Sequence, residues 1–277
     1  MEGLIIKSIS GEYDCLVNGE IITTKPLGIF RHHNMSPKVG DKVLIEKGMI
    51  SKILPRKNDL IRPFVSNVDK ALIVTSLVEP DLNLNLLDRI IANVEYNDIE
   101  SVLIFSKADL VKDLSVYENI LNYYKSLGYN VYLLPQDANN IKDIIQNNIC
   151  VLAGQSGVGK STFVNLLSNL NIKTDNISKA LGRGKHTTRH TELLKIDNGW
   201  IADTPGFGTL DLDMSEVDLS HSFKEFFETK CKFNGCLHLN EPGCNVKVKV
   251  ENNEILKSRY ENYLAFIKEI KAKPKKY

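Results

Sequence analysis

The chain has 277 residues, 43% hydrophobic and 25% charged, with a formal net charge of +1; this predicts a globular protein of about two or three domains and excludes a polycation, so nucleic-acid contact would need local basic patches. No apolar run approaches the roughly 18 residues of a membrane span and the opening residues lack a basic stretch, so neither a span nor a signal peptide is expected. The five cysteines, three of them late in the chain, predict a reducing cytoplasmic setting and a metal site rather than a disulfide framework.

Short β-rich runs come first, at 4–9, 13–17, 20–24, 28–30, 42–46 and 49–54. Gly11, Asn18-Gly19 and Val39-Gly40-Asp41 supply the turns. Several short strands in this length predict a small closed barrel of the oligonucleotide-binding type. Arg31, His32 and His33 share one loop near Lys38 and Lys42, which reads either as a nucleic-acid contact or as plain surface. Pro55 to Asp59, followed by Arg62-Pro63, reads as a linker.

From about residue 66 strands and helices alternate, the pattern of an α/β domain with a mainly parallel sheet. Residues 71–75 are an apolar run, and Leu86, Leu87, Ile90, Ile91 and Val94 follow at helical spacing. The next strand, 102–105, ends in Ser106-Lys107-Ala108-Asp109, at the carboxyl edge where α/β sheets bind ligands. GTPases carry Asn-Lys-x-Asp there. A carboxylate such as Asp109 accepts from guanine N1–H and the N2 amino group together, and would be left unpaired against adenine. Ser106 replaces the usual Asn, and a hydroxyl cannot supply both an amide donor and an amide acceptor. A helix over 113–127 and a strand over 131–134 come next.

Gly154-Gln155-Ser156-Gly157-Val158-Gly159-Lys160-Ser161 matches the phosphate-loop pattern G-x-x-x-x-G-K-[ST] at every defined position. The apolar run 149–153 precedes it, and Phe163, Val164, Leu166 and Leu167 give a helical face after it. Glycines turn backbone N–H groups toward phosphate at a positive helix N-terminus. Lys160 is expected on the β- and γ-phosphates and Ser161 on Mg²⁺, with the GTP-binding stretch extending to Thr162. The loop alone leaves GTPase, ATPase and kinase open.

Gly182 to His190 is glycine-rich and basic, and reads as a mobile loop in which Thr187 or Thr188 binds Mg²⁺ and senses the γ-phosphate. A strand at 200–202 runs into Asp203-Thr204-Pro205-Gly206, a D-x-x-G motif. Asp203 would hold Mg²⁺ through water and the Gly206 N–H would touch the γ-phosphate. Many GTPases orient the attacking water with a Gln just after this motif; Phe207 stands there and has no polar atom. His186 is the candidate catalytic residue in its place, the alternative being nucleic-acid or solvent contact. The base motif precedes the phosphate loop, the reverse of the ordinary arrangement. Joining the old termini and opening a new break keeps the same sheet, so this is the order of a circularly permuted GTPase.

Cys231, Cys236, His238 and Cys244 offer three thiolates and an imidazole, the soft donors of a closed, structural Zn²⁺ tetrahedron. Cys15 and Cys150 are isolated and read as packing residues. Residues 255–270 form an amphipathic helix bearing Tyr260, Tyr263 and Phe266, followed by a basic tail.

Together these residues resemble the ribosome small-subunit-dependent GTPase family, bacterial circularly permuted GTPases of late 30S assembly. The likeness covers almost the whole chain. It rests on the Arg62-Pro63 to Val68-Asp69 junction, the phosphate loop, the loop from Gly184 to Thr188, the D-x-x-G motif and the Cys/His cluster. It implies a barrel (1–62), a permuted α/β P-loop GTPase domain (63–220) and a small zinc-binding domain with helices and basic tail (221–277). It also implies GTP hydrolysis to GDP stimulated by the 30S subunit, 16S rRNA contact by the flanking domains, one Zn²⁺ per chain, Mg²⁺ with GTP, no membrane partner and a cytoplasmic monomer. Two other classes stay in view: another nucleoside-triphosphate enzyme, against which Asp109 argues, and a non-catalytic RNA-binding module, against which Lys160, Ser161 and Asp203 argue.

Overall fold

A computed structural model describes residues 1–28, 30, 36–61, 63–168, 191–203 and 211–274, with the backbone alone at 168, 191 and 203. The chain divides into two compact units. One comprises Met1–Leu72, Gln136–Ala153 and Gly159–Phe207; the other comprises Ile73–Pro135, Gly154–Val158 and Gly208–Tyr277.

The first unit opens with five strands: β1 (Glu2–Ile9), β2 (Glu12–Val17), β3 (Glu20–Pro26), β4 (Lys42–Glu46) and β5 (Met49–Ile53). β1 pairs with β2, β2 with β3, β3 with β5, β5 with β4 and β4 with β1, so the sheet closes on itself and has no free edge. Three hairpins set the register through paired positive-φ residues, Ser10-Gly11, Asn18-Gly19 and Lys47-Gly48, whose twist matches that of the flanking strands. Ile5, Cys15, Val43 and Ile50 alternate inward and are wholly buried. The strand expected at 28–30 does not form. Gly28 lies in a turn, and Phe30 is helical, its N–H donating to the Leu27 carbonyl at 3.2 Å.

The segment read as a linker is bonded into the barrel. Arg56 donates to Asp41 at 2.7 and 2.8 Å and to Asp59 at 2.6 Å, and Ser66 donates to Asp41 at 2.5 Å. Lys38, expected near a nucleic-acid surface, is instead buried, paired with Asp59 and bonded to the Leu60 carbonyl. Asp41 is fully buried, and an unpaired charge there would be costly, so these cations are committed to structure. Arg31, His32, His33 and Arg62 lie outside the described residues.

The same unit holds β9 (Ile149–Ala153), β10 (Thr191–Ile196) and β11 (Gly199–Asp203), with β11 parallel to β9 and antiparallel to β10. The helix α3 (Ala138–Ile145) packs beside α4 (Lys160–Ser168). Gly199 is required where β11 starts, because a Cβ there would sit 1.9 Å from the Ile145 carbonyl oxygen. β10 has no counterpart among the expected elements.

In the second unit, β6 (Lys70–Ser76), which enters it from Ile73, is followed by β7 (Glu100–Ser106) and β8 (Asn130–Leu133), lying in the order β6-β7-β8 with β7 and β8 parallel. Its helices are α1 (Leu84–Tyr96), α2 (Ser115–Ser126), α5 (Glu216–His221), α6 (Lys224–Phe227), α7 (Asn245–Glu251) and α8 (Lys257–Ala272). The apolar stripe of α1 buries Leu87, Ile90, Ile91 and Val94, and Asn83 caps its start by accepting from Leu86 N–H. α8 runs along α1, and Phe223, Phe226, Tyr263 and Phe266 form the aromatic centre of a separate core around the late cysteines. Among the described residues, no helix is long and apolar enough to cross a membrane.

Candidate nucleotide site and metal centre

All five residues of β9 are buried, and the chain leaves that strand into the glycine-rich loop. Gly154 has φ +136°, and a Cβ there would lie 2.1 Å from the Val74 carbonyl oxygen, so only glycine lets the loop start against β6. Gly157 and Gly159 also have positive φ, at 84° and 92°. Between them Val158 turns inward and is buried. Gln155, Ser156 and Gly157 are exposed, while Lys160 and Ser161 are half-buried in the first turn of α4 with Thr162 exposed beside them. The loop thus has the strand–turn–helix context that a phosphate cradle requires.

The base-motif residues stand at the end of β7. Ser106 is buried and donates its hydroxyl to the Val158 carbonyl at 2.6 Å; the Thr75 carbonyl is farther, at 3.3 Å. One hydroxyl has one hydrogen, so the short bond takes it. Lys107 adopts the left-handed conformation, φ 61°, and its ammonium donates to the Glu79 carbonyl. Ala108 is buried and its N–H bonds to the Leu134 carbonyl at 3.1 Å, where β8 ends. Asp109 sits in the 3₁₀ turn Ala108–Leu110 and is exposed. Phosphate-loop and base-motif residues that are distant in sequence are therefore joined by a side-chain bond inside one unit.

Asp203 ends β11, its backbone opposite Glu192 on β10. The Asp203 side chain, Gly206, Phe207, His186, Thr187 and Thr188 lie outside the described residues.

In the cluster the Cys231, Cys236 and Cys244 sulfurs and a His238 ring nitrogen lie within 4.8 Å of one another. His238 Nδ1 is 3.6 Å from Cys231 Sγ and 3.5 Å from Cys244 Sγ. Bond lengths of about 2.3 Å to sulfur and 2.0–2.1 Å to nitrogen, at tetrahedral angles, call for a separation of roughly 3.6 Å. The cluster is consistent with a metal site. Its shell is ordered by the protein. The Glu241 carboxylate accepts from Leu237 and Leu239 N–H at 2.9 and 2.7 Å, while Tyr263 and Tyr260 donate to the Leu237 and His238 carbonyls, each at 2.7 Å. Burial pushes the Cys236 thiol up to about 12 and raises Cys244 as well. Burial also lowers His238, keeping the imidazole neutral and able to ligate. A cation in the cluster would supply the charge that three thiolates, those of Cys236 and Cys244 buried and that of Cys231 half-buried, need. The supporting roles of Glu241, Tyr260 and Tyr263 were not anticipated; the two tyrosines stood out in sequence only as the apolar face of a helix.

Comparison with known proteins decides what this arrangement belongs to. A family profile described as RsgA GTPase matches residues 53–213, and one described as RsgA N-terminal domain matches residues 2–50. The chain is 43% identical to the small ribosomal subunit biogenesis GTPase RsgA of Bacillus cereus over 291 residues, covering 100% of this chain and 99% of the relative. It is also 43% identical to that of Bacillus subtilis over 296 residues, with the same coverage. This chain belongs to the RsgA GTPase family. It is a GTPase of small ribosomal subunit biogenesis. Among solved structures, it is similar to the circularly permuted GTPase YloQ, with a TM-score of 0.82, 37% identity and coverage of 100% of this chain and 96% of that one. It is similar also to YjeQ from Thermotoga maritima, with a TM-score of 0.85, 32% identity and 99% of each chain covered. The permuted order read from the motifs is thus the order of the RsgA family, with a five-stranded barrel before the GTPase domain and a Cys/His cluster with helices after it.

Proposed function

We propose that the chain hydrolyses GTP to GDP and phosphate during late assembly of the 30S subunit, with turnover stimulated by that subunit. The observation that carries the nucleotide half is the Ser106–Val158 bond, which sets the base motif against the phosphate loop. On this reading Gly154 through Thr162 hold the phosphates, Lys160 neutralises the β- and γ-oxygens, and Ser106 through Asp109 form the base side of the site with Asp109 accepting from guanine. Ser161, Asp203 and one of Thr187 or Thr188 offer the hard oxygen donors that suit Mg²⁺, which when bound would neutralise charge on the β- and γ-phosphate oxygens. The Gly206 N–H contacts the γ-phosphate, and neutral His186 orients the attacking water. The Cys231, Cys236, His238 and Cys244 ligands hold one structural Zn²⁺.

The name of the relatives supports the ribosomal half. The barrel (1–62) and the zinc-binding segment (221–277) contact 16S rRNA on either side of the GTPase domain (63–220). The chain acts as a cytoplasmic monomer without a membrane partner. The test is sedimentation of the purified chain with 30S subunits in the presence of a non-hydrolysable GTP analogue, GDP or ATP. Co-sedimentation favoured by the GTP analogue alone is expected. Equal binding under all three conditions would separate subunit binding from the nucleotide and refute the reading.

A further inference from the structure

Taking the functional reading above as given, we infer that Lys7 on β1 and Glu192 on β10 are a positioning pair for hydrolysis. Through them the barrel, once docked on the subunit, sets the β10–β11 hairpin.

One edge of β1 serves two sheets in turn, while β2 covers the other edge from Leu4 to Ile9. Glu2, Gly3 and Leu4 pair with β4 and close the barrel. Ile5 N–H donates to the Asp41 carbonyl at 2.9 Å, and the Ile5 carbonyl accepts from Gly40 N–H at 2.8 Å. Between Ile5 and Lys7 the register against β2 shifts, the irregularity of a bulge, which bends a strand. Beyond it Lys7 and Ser8 pair with Glu192 and Thr191 of β10. The last residues of a barrel strand are thus bonded into the GTPase sheet.

The β10–β11 hairpin is held differently at its two ends. At its turn, Gly199 sits against the Ile145 carbonyl and Trp200 N–H donates to the Asn148 carbonyl at 2.9 Å. At its open end, the backbones form one cross-strand row, Lys7 opposite Glu192 and Glu192 opposite Asp203. Among the described residues, β1 is the strand on the outer edge of β10, and it meets Thr191 and Glu192 alone. In sequence, residues 182–190 attach directly before Thr191, and the D-x-x-G motif starts at Asp203. A shift of β1 therefore acts where both motifs attach, while the turn stays anchored.

The side chains repeat the backbone contact. Lys7 Nζ lies 3.0 Å from a Glu192 carboxylate oxygen, with the two side chains 30% and 43% exposed. So solvated a pair adds little to global stability and can be altered in a folded chain. Like charges directly opposite each other weaken the local pairing.

The test titrates the full chain with 30S subunits and reads GTP turnover. Glu192→Lys, which sets two ammonium groups opposite each other, should lower the maximal stimulated rate about fivefold, the scale of exchanging an attractive cross-strand pair for a repulsive one. Turnover without subunits, and the subunit concentration giving half-maximal stimulation, should stay within about twofold of the parent. Lys7→Glu/Glu192→Lys should recover most of the loss, short of completely because Asp14 on β2 also lies opposite position 7. Should Glu192→Lys fail to bind GDP, Glu192→Gln decides, with a fall of about twofold that Lys7→Met does not deepen. A maximal rate equal to the parent's, a loss that the charge swap leaves in place, or a change confined to the half-maximal subunit concentration overturns the inference. A parent chain whose turnover is unchanged by 30S subunits overturns the functional reading itself, which a failure confined to these variants would leave intact.

Discussion

Arg259 Nη1 lies 2.6 Å from Asp88 Oδ1, and both side chains are only 1% exposed. The same guanidinium places Nε 2.6 Å from Glu225 Oε1 and lies over the Phe223 ring at 4.5 Å. Tyr124 and Asn262 donate to Asp88 at 2.6 and 2.7 Å, and Tyr123 donates to Glu225 at 3.1 Å. Burial works against the guanidinium charge, but the Glu225 and Asp88 carboxylates outweigh it and hold Arg259 ionised. Arg259→Met removes the cation from two buried carboxylates and should cost about 3–5 kcal/mol. Tyr124→Phe removes one hydrogen bond and should cost about 1–3 kcal/mol. Urea unfolding measures both, and an Arg259→Met loss no larger than that of Tyr124→Phe would contradict the account.

Arg89 on α1 grips Glu269 on α8 with paired bonds of 2.9 and 2.5 Å. The Arg89 hydrogen bond holds the Glu269 carboxyl below its ordinary range, with burial opposing more weakly. A carboxylate depressed in the folded state contributes stability that is present above its unfolded pKa, about 4.3, and is lost as pH falls through the folded value. Glu269 is partly exposed, so the contribution stays below about 1 kcal/mol. Glu269→Gln should melt below the parent at pH 7 and approach it in the acid range. A gap between the two melting curves that does not narrow on acidification would contradict this.

Freshly purified protein should carry about one equivalent of zinc, as a closed four-ligand site requires. Cys236→Ser should lose most of it. Glu241→Ala should retain the ligands but weaken metal affinity by about 10- to 100-fold, the scale of an outer-shell change. Chelation should raise amide exchange between residues 231 and 244 and leave GDP binding in place. Elemental analysis below about half an equivalent in unchelated protein would contradict the assignment.

Asp109→Asn should exchange guanine for xanthine preference, because an amide reverses the donor and acceptor offered to position 2 of the base. Competition between GTP and XTP reads this directly. A variant that still prefers GTP would remove Asp109 from base recognition.

The phosphate loop and the Cys/His cluster were legible because their chemistry tolerates few residue types. Gly154 has no room for a Cβ, and the four Cys and His residues of the cluster stand close together in sequence. The barrel was legible through Asn18-Gly19 and the other tight turns, whose positive φ is encoded locally. The Arg259 network was not. Its carboxylates come from α1 and α6, and isolated charges on helices ordinarily mark solvent-facing positions. Lys38 misled for the same reason: a lysine near a basic loop reads as surface until its partner, Asp59, is folded onto it. The bond of Ser106 to Val158 spans 52 residues and ends on a backbone carbonyl, which no residue identity records.

The central claim, a GTPase that works on the small ribosomal subunit, is tested most directly by GTP turnover of the purified chain with and without 30S subunits. The account predicts slow turnover alone and a rise on the order of a hundredfold with subunits, lost in His186→Ala while GTP binding persists. An unchanged rate on adding 30S subunits would contradict it.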